Sequence, residues 1–180
     1  MKFKRLGEFS LAGKRVLIRE DLNVPIKDGS VTSNARIRAA LPTIEHCIEE
    51  KAAVIIMSHL GRPAAEAFDA DLSLRPVAKE LSAMLGIQVD LISDWRRHLE
   101  VQPGDAVLIE NVRFEKGEAA NDSDLGRAYA QLCDLFVMDA FATAHRAQAS
   151  THAVAVFADE ACAGPLLSSE LDVLARVLEN

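Results

Sequence analysis

The stretch "AAVIIMSHLGRP", Ala52 to Pro63, begins as an unbroken apolar run and ends in a polar loop carrying His59 and Arg62. A strand with one wet face alternates apolar and polar residues. An unbroken run marks a strand covered on both faces, as in a parallel sheet flanked by helices. The loop that follows then lies at the carboxyl end of a buried strand, where open parallel sheets bind ligands.

The same grammar recurs on either side. "KRVLIREDLNVP" starts with a short apolar run, Val16 to Ile18, turns polar and stops at Pro25. "IQVDLI", "GDAVLIENVRF" and "DLFVMDAF" read as further strands, the last buried like the first. Between them lie helical patterns. In "SNARIRAALPTIEHCIEEKA" the residues Ile37, Leu41, Ile44 and Ile48 recur at helical spacing; Ser33 or Asn34 can cap it, and Pro42 predicts a kink or break. "LSLRPVAKELSAMLG" has Ser73 as a candidate cap, Pro76 in its first turn and Gly86 just past its end. "DSDLGRAYAQLC" has an acidic first turn, and "PLLSSELDVLARVLEN" is an amphipathic final helix. The Ala-rich "GRPAAEAFDADLS" reads as an exposed loop. Alternating strands and helices predict an α/β domain: three layers, Rossmann-like, a parallel sheet with helices on both faces.

The bulk numbers fit one domain. The chain has 180 residues, 49% hydrophobic and 26% charged, enough to bury a core. A formal net charge of -7 argues against a nucleic-acid or anionic-membrane partner, while leaving room for a local basic pocket that takes a small anion. "MKFKRLGEF" lacks the apolar segment of a signal peptide, and no apolar run approaches a membrane span, so a cytoplasmic protein is expected. Cys47, Cys133 and Cys162 are far apart and odd in number, which suggests buried or half-buried thiols in a reducing compartment and neither a zinc site nor a disulfide framework.

The chemistry is expected after the strands. Arg19, Asp21 and Asn23 follow the first, His59 and Arg62 the second, Arg113 follows "AVLIEN", and His145 and Arg146 follow "LFVMDAF". Taken singly, each arginine could be solvated or paired with a carboxylate, each histidine could cap a backbone group, and Asp21 and Asn23 could form turns. Taken together, cations delivered repeatedly to one sheet edge suit a phosphorylated or carboxylated small ligand, which guanidinium groups bind bidentately. The chain has no P-loop, no dinucleotide fingerprint, no zinc-protease motif and no hydrolase nucleophile elbow.

Read in order, "REDLNVP", "NARIRAALPTI", "SHLGRP", "LIENVRF" and "DAFATAHRAQAST" resemble phosphoglycerate kinases, from about Val16 to the end. The resemblance implies that residues 1–180 are the N-terminal, substrate-binding domain, binding 3-phosphoglycerate or 1,3-bisphosphoglycerate. The implied substrate-binding residues are Asp21, Asn23, Arg36, His59, Leu60, Gly61, Arg62, Arg113 and Arg146, with Arg36 also catalytic, neutralising the transferring phosphoryl group. Arg19 is kept as a support. The resemblance further implies a monomer in glycolysis. Its nucleotide partner, Mg-ATP or Mg-ADP, would sit in a C-terminal domain that this chain lacks, so no cofactor or metal is expected here and the chain alone would bind substrate without transfer. A non-catalytic anion-binding module on the same fold is the alternative from another class. Two positions depart from the pattern: Ala142 stands where the family usually has Gly, and Leu22 where it often has Phe.

Overall fold

The structure is a computed structural model that describes residues 3–64 and 67–178. In chain order the main elements are β1 (Arg15–Arg19), a small hairpin of β2 (Ile26–Lys27) and β3 (Ser30–Val31), α1 (Ala35–Glu49), β4 (Ala53–Met57), α2 (Arg75–Leu85), β5 (Val89–Ile92), α3 (Trp95–His98), β6 (Ala106–Ile109), α4 (Ser123–Ala130), β7 (Leu135–Met138), α5 (Phe141–Ala144), α6 (Val154–Phe157), β8 (Ala161–Ala163) and α7 (Pro165–Leu178). Six strands form one sheet in the order β5-β6-β4-β1-β7-β8, every pair parallel.

The period of two along each strand sorts the core into two layers. Val16, Ile18, Val54, Ile56, Leu108 and Val137 face one side, against Ile37, Ile44 and Cys47 of α1 and Val77 and Leu81 of α2. Leu17, Ile55, Met57, Ile109 and Phe136 face the other, against Trp95, Leu125, Tyr129 and Val154. Both faces being covered is the reason the central strands read as continuous apolar runs. The expected three-layer α/β architecture is the one found.

Two local expectations change. α1 runs through Pro42 without a break. Pro42 lies on the exposed face, and packing of Ile37, Ala40, Ile44 and Cys47 outweighs the lost backbone donor. Asn34 stands at the N-cap of α1, but its side chain makes no capping bond; its Oδ1 accepts from Arg38 Nε and its Nδ2 donates to Glu80. Gly86 ends α2 in the left-handed conformation, φ 68°, as its position predicts. The stretch 61–73 is largely open loop, ending in a 3-10 turn at Ala70–Leu72; residues 65 and 66, like 179 and 180 of the final helix pattern, lie outside the described residues.

Candidate functional site

The carboxyl edge of the sheet is built by residues that tie one post-strand loop to the next. At the end of β1, Leu22 N–H donates to Ser58 Oγ at 2.8 Å, and Ser58 Oγ donates to the Glu20 carbonyl at 2.8 Å. Ser58 is thus a clamp between β1 and β4, buried and occupied. Asn23 Oδ1 accepts from Gly61 N–H at 2.9 Å. Asn111 closes the other side: its Nδ2 donates to the carbonyls of Leu60 and Leu72, and its Oδ1 accepts from Leu60 and Arg113 N–H. Gly61 is held between these ties at φ 59°, where a Cβ would stand 2.6 Å from Leu72 Cδ2, so the position favours glycine. The Gly61 carbonyl accepts from Arg113 Nη1.

The cations then fall into two groups. Arg62, Arg113 and Arg146 line one cavity of about 430 Å³, together with Glu118 and Gln148. Among the described residues, no carboxylate pairs with Arg62 or Arg146. Burial, then the neighbouring charges of Arg146 and Arg62, pull the Arg113 guanidinium below its ordinary value. Arg36 lies outside that cavity's lining, on the first turn of α1, and pairs with Asp21 at 2.5 Å. Asp21 Oδ1 also accepts from Asn23 N–H. His59 is 5% exposed and sits among Arg19, Arg113, Arg146 and Arg36. Leu60 is in the apolar core at 4% exposure, so its side chain packs and only its backbone faces Asn111. His145 is exposed at the end of α5.

Arg19 is the most buried cation, 1% exposed. Its Nε donates to Ser150 Oγ at 3.1 Å, its Nη1 to the Glu20 carbonyl and its Nη2 to His59 Nδ1 at 3.2 Å. Glu118, 2% exposed, accepts from Ser150 N–H at 3.0 Å and from Ser150 Oγ at 2.5 Å. It is the buried counter-charge beneath the cluster. Sequence reasoning missed Glu118, Ser150 and Asn111. Asn111 lies two residues past the end of β6 and so carried a positional signal; Glu118 and Ser150 meet only through tertiary structure.

"FATAHRAQAST" resolves into α5, a turn at Arg146, and a π-helical turn at Ala149–Ala153. Ala142 is exposed within α5 and has no positive φ, so its methyl group meets no backbone penalty. Asp139, just upstream, is a structural clamp: it accepts from Thr43 Oγ1 at 2.5 Å and from Leu167 N–H at 2.9 Å, joining α1 to α7.

The family profile for phosphoglycerate kinase matches residues 6–180. The chain belongs to the phosphoglycerate kinase family. A phosphoglycerate kinase of Coxiella burnetii is 57% identical over 175 residues, which cover 97% of this chain and 45% of that protein. The solved structure of phosphoglycerate kinase from Coxiella burnetii superposes with a TM-score of 0.96 at 56% identity, over 99% of this chain and 46% of that one. The phosphoglycerate kinase of Pyrococcus horikoshii superposes with a TM-score of 0.83 at 34% identity, over 96% of this chain and 45% of that one. The chain therefore spans about half the length of the phosphoglycerate kinases it matches.

The three cysteines are free and buried, and burial pushes each thiol up to about 12. Among the described residues no three His, Cys, Asp or Glu side chains converge on one position. No helix of the described residues is long and apolar enough to cross a membrane.

Proposed function

We propose that this chain is the substrate-binding lobe of a phosphoglycerate kinase, holding 3-phosphoglycerate or 1,3-bisphosphoglycerate. The observation that carries this reading is the meeting of Arg62, Arg113 and Arg146 around one cavity in a chain of net charge -7. Gathered cations repel one another, and the carboxylates in the same lining are engaged elsewhere, Glu115 by Arg96 and Glu118 by Ser150, so a bound anion would relieve the repulsion.

The roles are those that the family resemblance implies. Arg62, Arg113 and Arg146 clamp the 3-phosphate through charge-assisted hydrogen bonds. Asp21 and Asn23 orient the hydroxyl and carboxylate end. His59 adds a donor beside the cations. Leu60 and Gly61 act through the shape of their loop. Arg36, outside the cavity lining and half exposed, leaves Asp21 in this reading and neutralises charge on a transferring phosphoryl group. The acceptor oxygen is a carboxylate or a nucleotide phosphate, so no general base is needed.

Phosphoryl transfer rests on positioning and charge neutralisation. The lobe supplies one half of that positioning. Residues 1–180 taken by themselves bind but do not transfer, since in-line placement of a nucleotide is worth on the order of 7–11 kcal/mol of barrier reduction. The protein is then a monomer in the cytoplasm, with neither nucleic acid nor membrane as partner. The test is calorimetric titration of 3-phosphoglycerate beside a coupled ATP assay on the same sample. Saturable binding without turnover is expected. No binding at millimolar ligand refutes the site, and turnover that co-purifies with the chain refutes the division of labour.

A further inference from the structure

The buried network around Arg19 has a fixed direction. A guanidinium donates and never accepts. Ser150 Oγ gives its only proton to Glu118 Oε1 and can therefore accept from Arg19 Nε. Arg19 Nη2, 3.2 Å from His59 Nδ1, can only be donating to it. His59 Nδ1 is then the bare nitrogen of its ring, and the ring's proton sits on Nε2. Among the described residues that Nε2–H has no hydrogen-bond partner.

We infer that Arg19 is a positioning residue: held by Ser150 and Glu118, it locks His59 as a neutral Nε2–H donor and prevents it from becoming a cation of the anion site. The inference rests on the substrate-site reading above for its consequence, though not for its geometry.

The surroundings act in the same sense. The charged groups acting on His59 are Arg19 at the end of β1, Arg36 on α1, Arg113 after β6 and Arg146 after β7, and those acting on Arg19 include Glu118 and Asp21. Asp21 is engaged by Arg36 and Glu118 by Ser150. A proton on Nδ1 would face the Arg19 guanidinium directly, and a fifth positive charge would join four. Burial and then these arginines push the ring down to about 2.

The consequence is a preference between charge states of the ligand. A histidine with an ordinary value would gain charge below about pH 6.5 and tighten its hold on a phosphate monoanion. This one does not. As a phosphate monoester dianion takes up one proton near about pH 6, the site loses ligand charge with no compensating gain. It selects the dianion.

The test reads the ring itself. Long-range proton–nitrogen correlation spectra of the ¹⁵N-labelled chain report the tautomer, with His59→Gln assigning the signals. The expected result is a single Nε2–H pattern, unchanged between about pH 8 and pH 5. An Nδ1–H pattern, or a ring that gains a proton in that range, overturns the inference. Arg19→Met should restore a mixed tautomer and ordinary titration. A folded Arg19→Met chain with an unchanged ring also overturns it; if that variant does not fold, the spectra of the unaltered chain decide. None of these readouts needs a ligand. A failed 3-phosphoglycerate titration would therefore count against the substrate reading and leave the tautomer result standing.

Discussion

Replacing Glu20 by Met should stabilise this protein, and more so as pH rises. Glu20 is 0% exposed, and neither carboxyl oxygen finds a hydrogen-bond partner among the described residues. A buried polar group left unmatched costs about 1–3 kcal/mol, which an apolar side chain of similar length removes. Burial, then the nearby charge of Asp139, raises the carboxyl well above the ordinary 4.5. The native state therefore keeps a proton that the unfolded chain has lost. Stability from this group is fully present below about pH 4.5 and falls by up to about 1.4 kcal/mol per pH unit above it, until the buried carboxyl ionises. Glu20→Met abolishes that decline. The assay is urea denaturation of both proteins at about pH 5, 6 and 7, with thermal melts alongside; each kcal/mol should move Tm by about 2–4 °C in a chain of this size. A variant less stable than the parent would refute the reasoning. So would a difference that stays constant with pH, because it would mean that Glu20 is solvated or paired in solution.

Arg146→Ala and Arg36→Ala should each weaken 3-phosphoglycerate binding by about 1.5–3 kcal/mol, whereas Arg97→Ala, on α3 and outside the cavity lining, should leave it unchanged; calorimetry on the three variants checks this, and equal losses would argue against a localised site. The same affinity should fall steadily with added salt if, as proposed, the cavity binds through charge; a salt-independent constant would contradict that. Gly126→Ala should destabilise by about 1–3 kcal/mol. Its Cβ would stand 2.5 Å from Ala153 Cβ and 2.9 Å from the Ala153 carbonyl carbon, where α4 packs on the π-helical turn. An unchanged melting curve would show that the two segments separate freely.

The strands and the edge that carries the site were legible because burial on both faces leaves an unambiguous apolar run, and "AVIIM" became β4 as read. β8 was not legible: "ACA" is three residues of low strand propensity, and pairing with β7 through Phe136, Val137 and Met138 makes it a strand. The hairpin of β2 and β3 did have a signal. Asp28 and Gly29 take φ 50° and 71°, the turn that Asp-Gly favours between paired strands. Pro42 misled because propensity is weak against four packed apolar neighbours. At the site, cations after strands could be read, and so could their common edge. Which of them share a cavity could not, because Arg36 meets Asp21 and Arg62 meets Arg146 only after the loops are folded. The buried supports Glu118 and Ser150 are 32 positions apart, and nothing local distinguishes them from surface residues.

The strand order has a consequence for synthesis on the ribosome. β1 is made first yet lies inside the sheet, with β4 on one side and β7 on the other. Its first residue is bonded to Asp134, 119 positions later. Until β7 emerges, the nascent sheet ends in an apolar strand edge able to pair with any other chain. Pairing across so long a separation is slow to form. The newborn chain is thus exposed to aggregation from the emergence of β1 until that of β7, and a holdase that covers β1 over that interval should raise its soluble yield more than one added after release.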